Sequence, residues 1–197
     1  MSMGTELEFK YALSGAGQWS RLADELGGRF GPWQEVKMET AYFDTQDRLL
    51  SGRQWTLRVR RENGVPVLTA KAPGPGRARS EWELPGGTLR DLHRLAEQGA
   101  PLDLTRLTPE QLRSQCGVRF RRLRCLAELP GATAELALDE GVFTGGGRET
   151  PFWELEAELK GGSEDALAQW CRSLADAWGL LEEPRSKFLR AMALTEK

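Results

Sequence analysis

Glu154-Leu155-Glu156-Ala157-Glu158 alternates carboxylate and apolar side chains, and this period of two reads as a β-strand. The predicted strand covers 150–160. Its three carboxylates share one face, while Leu155 and Ala157 share the other. Three like charges in a row repel unless something positive sits among them. The stretch therefore predicts an apolar face turned to a core and a charged face turned to cations.

The same pattern recurs outward from it. Residues 5–11 place Glu6, Glu8 and Lys10 opposite Leu7, Phe9 and Tyr11. Residues 34–43 alternate, and 54–61 set Arg58 and Arg60 against Trp55, Leu57 and Val59. Asn63-Gly64 supplies the positive-φ positions of a tight hairpin into a strand over 65–71. Pro73-Gly74-Pro75-Gly76 predicts a loop before a strand over 79–84. Two more strands are expected over 118–129 and 133–143, giving eight.

Helical spacing appears over 14–26, with Gly27-Gly28 as the expected stop, and from Ser163 through Trp178. Two short helices are expected over 89–97 and 109–115, and one more around Ser186-Lys187-Phe188-Leu189-Arg190. The expected architecture is α+β: an antiparallel sheet or barrel whose apolar faces are covered by helices, leaving the charged faces together. No repeat or linker divides the chain, so 1–197 is read as one domain.

Composition narrows the chemistry. The chain holds 27 Lys+Arg against 29 Asp+Glu, a net charge of −2, which argues against general nucleic-acid binding. No apolar run approaches the roughly 20 residues of a membrane span, and no signal layout opens the chain, so a cytoplasmic protein is expected. Three widely spaced cysteines and one histidine, His93, leave little material for a disulfide framework, a zinc site or a histidine-based triad. Cys116, Cys125, Cys171 and His93 read as structural, and the seven Trp mostly as core.

The charges are sorted along the chain. Residues 48–79 carry eight cations and one acid, and 113–124 carry five arginines and no acid. Residues 135–164 carry eight acids and two cations. A closed barrel with an internal charged cavity accounts for both, if a polyanion meets the basic walls and a divalent cation the acidic ones. All-oxygen ligation selects Mg²⁺ or Mn²⁺.

Glu6-x-Glu8-x-Lys10 resembles the signature of the CYTH domain superfamily, the triphosphate tunnel metalloenzymes. Further elements follow in family order: Tyr42-Phe43-Asp44-Thr45, Leu57-Arg58-Val59-Arg60, Thr69-Ala70-Lys71, Arg79-x-Glu81, an Arg-rich strand, Glu135 with Leu138-Asp139-Glu140-Gly141, Glu154-x-Glu156-x-Glu158 and Ser186-Lys187-x-x-Arg190. The resemblance spans nearly the whole chain and looks most like the bacterial inorganic triphosphatase branch.

It implies an eight-stranded closed antiparallel tunnel that hydrolyses a small-molecule triphosphate with Mg²⁺ or Mn²⁺, inorganic tripolyphosphate first. A class IV adenylyl cyclase, a thiamine triphosphatase and a non-catalytic polyphosphate- or nucleotide-binding module are the alternatives. By the resemblance Glu6, Glu8, Glu154 and Glu156 hold metal, with Glu158 nearby. Lys10, Arg58, Arg60, Lys71, Arg122 and Arg124 hold phosphate oxygens, with Arg119 and Arg121 as the competing parity. Lys10, Glu6 and Glu8 form the catalytic group. Lys187 and Arg190, three apart on one helix face, close over the cavity mouth. Glu81 and Glu83 orient these cations or pair with Arg77 and Arg79. Glu135 and Asp139 hold a metal or an arginine, or Asp139 caps a turn. Oligomeric state is not readable from these patterns.

Overall fold

A computed structural model describes residues 7–73 and 79–196. Its elements are β1 (Glu8–Ala12), α1 (Ala16–Phe30), β2 (Gln34–Thr45), α2 (Leu49–Gly52), β3 (Thr56–Glu62), β4 (Val65–Pro73) and β5 (Arg79–Pro85). Two 3-10 segments (Leu89–Gln98 and Pro109–Gln111) flank α3 (Leu102–Thr105). Then follow β6 (Leu112–Leu129), β7 (Ala132–Gly145), β8 (Arg148–Gly162), α4 (Glu164–Trp178), β9 (Leu181–Glu182) and α5 (Lys187–Met192).

The strands form one antiparallel sheet in the order β5-β4-β3-β2-β6-β7-β8-β1-β9. Among the described residues there are nine strands, and their ladder runs from β5 to β9 without closing, so the expected closed, eight-stranded barrel is not borne out. The ninth strand lies at the β1 edge, where Leu181 and Glu182 pair with Ala12 and Tyr11. The sheet nevertheless curls, because residues of β1 and of β5 line one cavity on its concave face.

The period-two pattern explains the layers. On the convex face Tyr11, Leu136, Leu138, Leu155 and Ala157 pack against Trp19, Leu22 and Leu26 of α1 and Leu167, Cys171 and Leu174 of α4. Each buried leucine there contributes about 1.5–3 kcal/mol. Farther along, Leu57, Leu68 and Ala70 pack under Leu92, Leu95 and Leu104 of the 88–116 segment. One end of the concave face is apolar too: Tyr42, Val118, Phe120, Phe143 and Phe152 meet Phe188, Ala191 and Met192 of α5. That end is plugged, and the charged end is not.

Two expectations about elements change. Gly27-Gly28 does not stop α1, which continues to Phe30. Gly27 instead makes room for Trp33, whose ring nitrogen lies 2.6 Å from where a Cβ would stand and donates to the Ala23 carbonyl. The helix expected over 109–115 is only Pro109–Gln111, because pairing with β2 extends β6 back to Leu112. The 74–78 part of the expected loop lies outside the described residues. Among the described residues no helix is long and apolar enough to cross a membrane.

Candidate active site: two charged walls

The cavity encloses about 750 Å³. One wall comes from β1, β8, β7, β6 and α5, the other from β3, β4 and β5, and β2 lies between them.

Register builds the first wall in ranks. Glu135, Glu158 and Glu8 are direct cross-strand neighbours on β7, β8 and β1. The next rank on that face is Arg124, Ala137, Glu156 and Lys10, and the one after is Arg122, Asp139, Glu154 and Ala12. Beyond it lie Phe120 and Phe152 under α5. Arg122 and Arg124 line the cavity, whereas Arg119 and Arg121 engage Glu149 and Glu140 on the convex side. Four of the five arginines in 113–124 are thus divided between the faces by strand parity alone.

The rank nearest α5 is internally paired, with only Glu154 Oε1, beside the Lys187 ammonium, lacking a hydrogen bond among the described residues. Arg122 holds both oxygens of Asp139 at 2.7 Å and also bonds Glu156. Lys187 reaches in from the start of α5 to Asp139 at 2.9 Å, Glu156 at 2.6 Å and Glu154. Arg190, one turn on, bonds the other oxygen of Glu154 and stands 3.7 Å from Glu183. Asp139 and Glu154 are fully buried.

Burial opposes the charges of Glu156, Lys187 and Arg122, but their partners prevail. Lys187 and Arg122 hold the Glu156 carboxyl far below its usual range, and the carboxylates raise Lys187 and Arg122 above theirs. Glu154 is raised by burial, which its two cations only partly offset.

Glu8 behaves differently. Burial, and then the charge of Glu156, push its carboxyl up to about 7, and Lys10 at 4.0 Å does not reverse this. Glu158 pairs with Lys160 at 2.7 Å. The Glu8 rank is therefore the under-compensated one.

On the second wall Arg58 is held loosely. Arg58 lies 3.8 Å from Glu81 and 3.9 Å from Glu83, and Arg60 lies 3.8 Å from Glu83. Closer partners are Glu62 for Arg60 at 2.9 Å and Glu81 for Lys71 at 2.8 Å. The Nε atoms of Arg58 and Arg60 are buried without a hydrogen-bond acceptor among the described residues. Thr69 donates to Glu83 at 3.0 Å and fixes it between the two arginines. Between the walls runs an apolar strip of Val36, Met38, Val118, Phe120 and Phe188.

The donor set suits a hard cation, since every available acidic ligand is a carboxylate. Asp139, Glu154 and Glu156 bring one oxygen each within 4.8 Å of one another. Three side-chain cations already neutralise them, so a divalent ion there would have to displace one. Glu8, a ladder neighbour of Glu158, has no such tight neutralising partner.

Most of the expected site residues gather in the cavity: Glu8, Lys10, Arg58, Arg60, Lys71, Glu81, Glu83, Arg122, Arg124, Glu135, Glu156, Glu158 and Lys187 all line it. Glu154, Asp139 and Arg190 do not; they sit beneath its surface at the plugged end, so Arg190 is not at the mouth. Arg77 and Glu6 lie outside the described residues, as does the side chain of Arg79. Sequence reasoning missed Glu62, Tyr42 and Gln98 as lining residues and Glu183 as a buried partner. Tyr42 and Glu62 were findable from strand parity; Gln98 and Glu183 lie in stretches without a period of two.

The model of the CYTH domain matches residues 4–192. The chain belongs to the CYTH domain family. Among curated proteins, the inorganic triphosphatase of Haemophilus influenzae is 29% identical over 176 residues, covering 83% of this chain. The chain spans about half of that relative, 47% of its length. Among solved structures, HpAC1 of Hippeastrum, provisionally named an adenylyl cyclase and described as revealing a dominant triphosphatase activity, superposes with a TM-score of 0.67 at 19% identity. That match covers 98% of both chains. A Bacillus halodurans protein provisionally named an adenylate cyclase gives 0.59 at 21% identity over 92% of this chain and 93% of its own. Both share the CYTH architecture.

Proposed function

We propose that this CYTH domain hydrolyses the terminal phosphoanhydride of a small-molecule triphosphate, inorganic tripolyphosphate first, in the presence of Mg²⁺ or Mn²⁺. The observation that carries the reading is the second wall: Arg58, Arg60 and Lys71 line the cavity, and Arg58 stands 3.8 Å or more from its nearest carboxylates. Such guanidinium forks match phosphate oxygens in pairs. Lys71 extends that surface, and Arg122, Arg124, Lys10 and Lys187 face it across the cavity.

A triphosphate bridging the walls is held at both ends and straightened, which aligns the terminal phosphorus with a water on the Glu8 side. Glu8, Glu158 and Glu135 would hold the divalent ion, and the resemblance assigns Glu6 the same role. When bound, the ion neutralises charge on the phosphoryl oxygens. Lys10, adjacent to Glu8, orients the water, and the neighbouring carboxylates accept its proton. Cys116, Cys125 and Cys171 are free thiols.

The test is phosphate release from tripolyphosphate, ATP and thiamine triphosphate, each with Mg²⁺, Mn²⁺ or chelator. Metal-dependent release from tripolyphosphate is expected, and no release from any of the three overturns the reading. One observation favours a second outcome. The apolar strip and a volume typical of sites for drug-sized ligands leave room for an organic group. Cyclic AMP and pyrophosphate formed from ATP would select the cyclase; tight binding in calorimetry without turnover would select a binding module.

A further inference from the structure

Helix spacing set Arg190 with Lys187 over the cavity mouth, yet its guanidinium lies below the cavity. It is packed over Phe143 at 4.4 Å and Phe152 at 5.3 Å, and it is bonded to buried Glu154. Lys187, on the same face of α5 one turn earlier, extends past Phe120 and Phe152 and does line the cavity. The two cations of one helix thus divide two tasks.

The charge count at the plugged end shows what Arg190 does. Asp139, Glu154 and Glu156 are balanced by Arg122, Lys187 and Arg190, three against three. Arg190 takes one oxygen of Glu154, leaving the other toward Lys187. Without Arg190, three carboxylates in a water-poor site would share two cations. Glu154 would then draw Lys187 down, away from Glu156 and the cavity. Glu183 braces the arrangement: its carboxylate lies 3.7 Å from Arg190, and its backbone N–H donates to the Lys10 carbonyl at 2.9 Å.

We propose that Arg190 is a positioning residue: as counter-ion of buried Glu154, it sets the height of the Lys187 ammonium at the plugged end of the cavity and touches no phosphate itself. The role of Lys187 rests on the triphosphate reading; its placement by Arg190 does not.

Two measurements on the full chain test this. The first is the ¹H–¹⁵Nζ NMR signal of the Lys187 ammonium at neutral pH, assigned by its loss in Lys187→Met. A held ammonium exchanges slowly and is seen. The signal should persist in the native protein and in Arg190→Lys, and vanish in Arg190→Met. It should return in the double variant Glu154→Gln/Arg190→Met, where two carboxylates again face two cations.

The second is calorimetric binding of tripolyphosphate to chelator-treated protein. Arg190→Met and Lys187→Met should each weaken binding about tenfold or more, the scale of one charge-assisted contact. Combining them should cost no more than Lys187→Met alone, and adding Glu154→Gln to Arg190→Met should restore most of the affinity. Losses that multiply, without rescue by Glu154→Gln, would make Arg190 a direct phosphate ligand and overturn the proposal. So would an unchanged Lys187 signal in Arg190→Met. If Arg190→Met does not fold, Arg190→Lys and the double variant decide alone: a lost signal in both overturns the proposal. If the native protein binds no tripolyphosphate, the triphosphate reading fails, and the Lys187 signal still judges the positioning.

Discussion

Arg122 and Arg58 both face the cavity, but their surroundings differ. Arg122 meets each oxygen of Asp139 at 2.7 Å, whereas Arg58 stands 3.8 and 3.9 Å from its nearest carboxylates. At its α5 end the first wall has spent its donors on itself, whereas Lys10 and Arg124 farther along it have not. The difference follows from register: Arg122 has Asp139 as its cross-strand partner, while Arg58 has Tyr42 and Thr69. A saturated wall is preorganised and rigid; an unsaturated one retains donors for an incoming anion. The cavity therefore has a structural side and a receiving side, although both present Arg and Lys.

The sharpest way to break this division is at Asp139. Replacing it with Ala strands Arg122 and Lys187 in a buried site, and removing one member of a buried ion pair costs about 3–5 kcal/mol. Urea unfolding should show that loss; a loss below about 1 kcal/mol would mean the wall is solvated and the division wrong. On the receiving side the effect should appear in function. Arg58→Ala should lower kcat/KM for the triphosphate about 100-fold, the scale of one donor lost from a charged transition state, with little change in stability. Arg58→Lys should recover only part, since an ammonium lacks the fork.

Glu8 tests the boundary between the two. Its folded carboxyl is raised to about 7 against an ordinary 4.5, so the folded state retains a proton that the unfolded chain releases. Glu8 thus costs no stability below about pH 4.5, an increasing amount up to about pH 7, and a constant amount above. Without divalent metal, Glu8→Gln should be more stable than the native protein at pH 7–8, by about 1 kcal/mol after discounting for a side chain 39% exposed. The gap should close toward pH 4.5. Adding Mn²⁺ should raise the Tm of the native protein more than that of Glu8→Gln. Glu156, depressed by Lys187 and Arg122, has the opposite sign: its stabilisation is present above the ordinary carboxylate range and is lost as pH falls through its folded value.

Much of this was legible from period two. Alternation placed Glu154, Glu156 and Glu158 on one face and Leu155 and Ala157 on the other, and the helix stripes of α1 and α4 found the apolar faces. Cross-strand register was not legible, because it is set by pairing across long sequence separations. Nothing local says that Glu8 faces Glu158, or that Asp139 faces Arg122. The nine-stranded open ladder escaped for a similar reason: β9 is two residues long and carries no period. Gly27 misled because its small size serves Trp33, a contact that a helix-stop rule does not contain. Arg190 misled because helix spacing fixes a face but not depth.

The smallest predicted effect tests the parity on which both walls depend. Arg119 is two residues before Arg121 and three before Arg122 in the same arginine-rich strand, and composition does not distinguish them. On the convex side it pairs with Glu149, the two side chains being 55% and 56% exposed. An ion pair so exposed loses little on removal, because water screens the attraction and the freed side chains regain motion. Arg119→Ala should therefore shift stability by about 0.5 kcal/mol or less and leave tripolyphosphate affinity unchanged. Arg122→Ala in the same assay should do neither. A clear loss of affinity in Arg119→Ala would mean that the strand presents its other parity to the ligand. The ranks built on Arg122 and Arg124 would then fall with it.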